Sequence, residues 1–156
     1  MDTKKAKALS RRLLRQLDLK AKVSVTKINE HLTSYYNTEE NKIIYLKSQI
    51  ENKYALSYEH GNVDSWRLWE KSYLFNIQPE MINEKFFDVF HCNSDVATVV
   101  HEVAHVLQER EFGFEDAYEV WRYTHNDNLT QTLYHNTDFN LCVSVVLDLL
   151  TVEDFQ

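Results

Sequence analysis

Glycine and proline are almost missing from this chain: Gly61, Gly113 and Pro79 are the only three among 156 residues. With so little punctuation no linker is visible, and turns have to be built mostly from Asn, Asp and Ser. Cysteine is scarce too. Cys92 and Cys142 are too few for a disulfide framework, and neither has a CxxC partner that would make a zinc ribbon. Each reads as a small apolar residue of the interior, in a reducing, cytoplasmic setting. No run approaches the ~20 apolar residues of a membrane span; the nearest, Leu141 to Leu150, is interrupted by Ser144 and Asp148. No apolar segment follows Met1, so no secretory leader is expected. The length fits one domain over residues 1–156, read as a monomer.

Basic residues are few outside the first segment. Met1 to Lys22 carries eight of them against Asp2 and Asp18, a balance of +6, which leaves −13 for the rest of a chain whose net charge is −7. Residues 1–20 read as a basic amphipathic helix with Ala6, Leu9, Leu13 and Leu17 on one stripe and Leu14 beside it. Such a helix docks on the core with a solvated basic face; it also offers a weak contact for a nucleic acid or an acidic partner. The acidic remainder argues against broad, sequence-independent DNA binding.

Alternation of β-branched residues predicts a strand from Lys22 to Ile28, and two further strands, Leu32 to Tyr36 and Lys42 to Lys47, are expected as a hairpin around residues 37–41. Trp66, Trp69, Tyr73 and Phe75 suggest a short helix that packs aromatics on the core. Phe86 to Phe90 is read as extended. Helices are expected over Glu115 to Arg122 and Asp127 to Tyr134, and an apolar stripe of Leu141, Val145, Leu149 and Val152 runs through Phe139 to Phe155. The pattern is α+β: a small antiparallel or mixed sheet of about three strands, with several packing helices.

The most informative segment is His101-Glu102-Val103-Ala104-His105, an HExxH pentapeptide inside an apolar run. Residues four apart share one face of a helix, so both histidines can reach one metal ion. Glu102 projects about 100° away, where a carboxylate can act on water rather than on the ion. Asn93, Ser94 and Asp95 are N-cap candidates ahead of this helix, and Gln108 to Glu111 form its polar end before Gly113. His31, His60 and His91 have no partner at helical spacing and read as ordinary histidines.

A zinc hydrolase takes three protein ligands and leaves a fourth position for water. The continuation HExxHxxGxxH is excluded, because Gln108 and Glu111 stand where that pattern needs glycine and histidine. The third ligand is left among His125, His135, Glu115, Asp116 and Glu119, the last on a helix 14 positions after His105.

Taken together, the basic first helix, the short strands, the HExxH helix and a later histidine resemble the SprT-like zinc metallopeptidases, which include the Spartan-type proteases acting on proteins crosslinked to DNA. In that family a later segment of the form H-G-x-x-[F/W]-x-x-x-[apolar] supplies the third ligand. Residues 124–133 are similar in layout, with His125 at the ligand position, Asn126 for glycine, Leu129 for the aromatic and Leu133 for the apolar residue. The resemblance implies a zincin-like fold, Zn²⁺ held by His101, His105 and His125, Glu102 as general base, and a protein or peptide substrate. Tyr123, Tyr134 and Arg122 are candidates to steady an oxyanion. Two other readings share these residues: a non-catalytic binding module on the same scaffold, and a zinc-dependent amidohydrolase acting on a non-peptide amide.

Overall fold

Helix α1 (Thr3–Gln16) begins where the Asp2 carboxylate accepts a hydrogen bond from the Lys5 N–H at 2.7 Å, a side-chain cap for an otherwise orphaned donor. A computed structural model of the chain describes residues 1–31, 33–51, 84–90 and 92–155, without the side chains of residues 127, 128, 131 and 132. The expected helix bearing Trp66, Trp69, Tyr73 and Phe75 lies outside the described residues, as do His60 and His91. On α1 the Ala6, Leu9, Leu13 and Leu14 face is buried while Lys4, Lys5, Arg11 and Arg15 are exposed. Ser10 lies on the buried face: its hydroxyl donates to the Ala6 carbonyl and so accepts from the Tyr45 hydroxyl at 2.6 Å.

Tyr45 belongs to the middle of a three-stranded mixed sheet. Strands β1 (Lys22–Thr26), β2 (Tyr35–Asn37) and β3 (Lys42–Leu46) stand in the order β1-β3-β2, with β1 parallel and β2 antiparallel to β3. Ile43, Ile44 and Tyr45 of β3 are all buried, as a strand covered on both faces requires. The first strand ends two residues short of its expected limit, where Ile28 is exposed. The second is displaced toward the turn. That turn is made from asparagine, as the lack of glycine demands: Asn37 Oδ1 accepts from the Glu40 N–H, and Asn41 takes a φ of 50°.

Helix α2 (Lys47–Glu51) leaves β3 directly, and α3 (Glu84–Phe90) corrects the expectation of an extended segment at Phe86 to Phe90. Phe86, Val89 and Phe90 fall at i, i+3 and i+4, a helical period, and all three are buried with the two phenyl rings stacked at 4.8 Å. Helix α4 (Ser94–Glu111) is the longest described element and packs against α1, α2, α3 and β2. Asn93 occupies its N-cap, yet its amide donates to the Asp88 carbonyl instead and so ties α4 to α3. The far end closes at Gly113, whose φ of 75° lets its N–H reach the Gln108 and Glu109 carbonyls.

Helices α5 (Glu115–Thr124) and α6 (Asp127–Tyr134) pack on each other, while α7 (Thr137–Asp148) lies along α4. The expected continuous stripe to Phe155 is broken over residues 149–151, after which α8 (Val152–Phe155) is held to α1 by a two-pronged ion pair from Arg12 to Asp154 at 2.6 and 2.7 Å. Cys142 is buried, its thiol pushed up to about 12 chiefly by burial, and Cys92 is half-buried. The architecture is α+β, a small mixed sheet with several helices. Among the described residues no helix is long and apolar enough to cross a membrane.

Candidate metal centre

Two of the histidines at this site come from one helix face. His101 and His105 stand a turn apart on α4, with their Nε2 atoms 3.2 Å from each other. The third is His135, in the short junction between α6 and α7: its Nε2 lies 3.3 Å from that of His105 and 3.2 Å from that of His101. The three nitrogens thus mark a nearly equilateral triangle. Pairwise hydrogen bonds do not account for it, because a neutral imidazole nitrogen carries either one N–H or one lone pair, and a triangle's corners are too acute for near-linear bonds. A tetrahedral ion ~2.0–2.1 Å from each imidazole nitrogen sets those nitrogens about 3.3 Å apart, so the residues fit zinc in number, chemistry and spacing. Among the described residues this is the one group of three or more potential ligand atoms lying within 4.8 Å of one another.

The surroundings keep the His101 and His105 imidazoles neutral, which is the ligating form. His101 is held well below its usual pKa, first by burial and then by the neighbouring His105 and His135. His105 is lowered to about 3 by burial and by His135, against its hydrogen bond to Gln108, which acts the other way. Phe139 forms the apolar wall: its ring stacks on His105 at 4.4 Å and meets His101 and His135 edge-on at 4.9 and 5.1 Å. Phe114 closes the other side, 6.1 Å from His105 and 5.0 Å from Tyr134.

Glu102 sits beside the triangle, 3% exposed, with Oε1 3.8 Å from His101 Nε2. Its other oxygen, Oε2, is buried and accepts no hydrogen bond from any described residue. Burial pushes this carboxyl up to about 8. A cation at the three imidazoles would pull it down again, since an opposite charge nearby favours the ionised form. Deeper still is Tyr45, whose phenol is raised by burial, against the Ser10 hydrogen bond, and further by the Glu102 charge.

His125, the expected third ligand, is not in the cluster. It caps α5 with a left-handed backbone, φ 49°, its N–H bonded to the Trp121 carbonyl at 2.8 Å and its exposed ring against the Trp121 indole at 5.0 Å. Glu115, Asp116 and Glu119 are exposed on α5 and also stand outside the cluster, as do the exposed Arg122 and Tyr123. Tyr134, by contrast, is half-buried immediately before His135.

A readable signal pointed to His135. The pattern of a histidine, an aromatic four residues on and an apolar residue four further is met by His135, Phe139 and Val143, whereas His125 is followed by Leu129. Gln108, read from sequence as part of the polar helix end, is instead 1% exposed and bonded to His105 Nδ1 at 2.9 Å. Comparison with protein families, with curated proteins and with solved structures finds no match to this chain.

Proposed function

We propose that the chain is a zinc-dependent hydrolase of peptide bonds on a zincin-like, SprT-like scaffold, with His101, His105 and His135 as ligands and Glu102 as general base. The observation that carries the reading is the triangle of three Nε2 atoms with an unpaired, buried carboxylate oxygen beside it. A structural metal site has no use for such a carboxylate, which costs stability wherever it is ionised and unpaired. That favours an enzyme over a binding module.

When bound, zinc would supply a Lewis acid that polarises a carbonyl and lowers the pKa of its water toward ~7. The protein's own residues then have distinct tasks. The three imidazoles, with the Phe139 ring against all of them, would hold the ion. Glu102 takes the proton of the attacking water on a carboxylate oxygen and delivers it to the departing amine. Its carboxyl stands next to His101 on the same helix, 3.8 Å from that ring's Nε2, within reach of a water held at the three imidazoles. Two cysteines outside any disulfide suit a reducing compartment such as the cytoplasm.

The test is hydrolysis of an unfolded protein substrate by zinc-loaded wild type and by Glu102→Gln, with zinc content measured beside it. The variant keeps one zinc per chain and loses about 10²–10⁴-fold in turnover. Full activity in Glu102→Gln sinks the catalytic assignment, and no zinc in the wild type sinks the metal site.

A further inference from the structure

Gln108 lies three positions after His105 on α4, close to the same face, and a neutral amide buried to 1% exposure is costly unless both of its ends are paired. Both are. Nε2 donates to the Tyr134 carbonyl at 3.0 Å, and Oε1 stands 2.9 Å from His105 Nδ1.

These two contacts fix a proton that no distance shows directly. A backbone carbonyl can only accept, so the end of the amide facing Tyr134 has to be the NH₂ group, and the end facing His105 has to be the oxygen. That oxygen also only accepts. His105 Nδ1 therefore carries the hydrogen, and the lone pair is left on Nε2, the atom that stands in the triangle. The second arm reaches the residue before His135, so one side chain steadies a ligand on the helix and the backbone that delivers the ligand from the junction.

We infer that Gln108 is a positioning residue of the three-histidine site, setting the tautomer of His105 and the placement of His135 through one amide. The inference rests on the metal-site reading above, and its test separates the two. Gln108→Met keeps the length and removes both bonds; Gln108→Glu keeps an acceptor for His105 and loses the donor to Tyr134. Zinc dissociation constants measured on the full chain by chelator competition rise about 10–100-fold in Gln108→Met, the usual effect of losing such a partner. Gln108→Glu recovers most of that loss.

Imidazole ¹⁵N shifts of the metal-free chain give a readout that packing alone does not move. His105 is the Nδ1–H tautomer in the wild type and in Gln108→Glu, and a mixture in Gln108→Met. A wild type that binds no zinc overturns the metal-site reading, while the tautomer still decides the role of Gln108. An Nε2–H or mixed tautomer in the wild type overturns the inference, as does a Gln108→Met protein with lowered thermal stability and unchanged zinc affinity.

Discussion

The chain contains two junctions of nearly the same design, and only one of them builds the site. At residues 124–129 and again at 134–139 a helix ends, a His-Asn pair follows, and the asparagine accepts a hydrogen bond from the N–H three residues on: Leu129 to Asn126 at 3.1 Å, Phe139 to Asn136 at 3.0 Å. His125 nonetheless ends up exposed and His135 buried. The difference lies in the helix that follows. Leu129 of α6 is 50% exposed and its helix packs on α5, whereas Phe139 of α7 is fully buried and its helix lies along α4. A local motif therefore sets the turn, and the apolar face behind it decides where the histidine goes.

The sharpest way to break this comparison is to exchange the losses. His135→Ala abolishes stoichiometric zinc binding, measured by elemental analysis, and His125→Ala leaves it intact; the reverse result removes His135 from the site. Next in size is the anchor. Phe139→Ala empties a packed position against three imidazoles and costs about 3–5 kcal/mol in urea unfolding, while Leu129→Ala changes stability by less than about 0.5 kcal/mol. Equal costs would mean that both helices are docked alike. A smaller effect is expected at the caps: Asn136→Ala costs about 1 kcal/mol and Asn126→Ala less, because fraying of α6 leaves the core in place.

The smallest effect reports on how the α7 side is tied down beyond its helix. Burial alone would raise the Asp154 carboxyl, but hydrogen bonds from Arg12 and from the Thr151 backbone outweigh it and hold the group below its ordinary value. A carboxyl depressed in the folded state contributes stability above the ordinary carboxylate range and loses it as pH falls through the folded value. Unfolding followed from neutral to acid pH should thus show a step that Asp154→Asn flattens, and a variant with an unchanged acid profile would detach α8 from this account.

How much of this could be read from sequence depends on the reach of each interaction. The HExxH helix was legible because its two histidines are a turn apart on one element, and α1 because Ala6, Leu9 and Leu13 repeat at helical spacing. The three strands were legible from β-branched alternation, with errors at their ends. The short apolar run Phe86 to Phe90 fits either period over so few residues, and packing against α4 made it helical. His135 stands among the candidate third ligands but behind His125, which the family layout favours, and both histidines precede an asparagine. What distinguished them was the face formed by Phe139, Cys142, Val143, Val146 and Leu147, which commits α7 to the core. Gln108 escaped notice because a polar residue near a helix end ordinarily faces water, and only the approach of the Tyr134 carbonyl makes its burial tolerable.

Because the triangle joins one helix to a junction 30 residues downstream of His105, an ion there would act as a staple across two elements distant in sequence. Any fluctuation that lifts the first turn of α7 from α4 removes one ligand of three, so ion affinity and local opening are a single equilibrium. At a free concentration of 100 times its Kd, zinc adds about 2.7 kcal/mol against that opening. Amide hydrogen exchange would register this as roughly hundredfold slower exchange over Asn136 to Val143, with little change in α5.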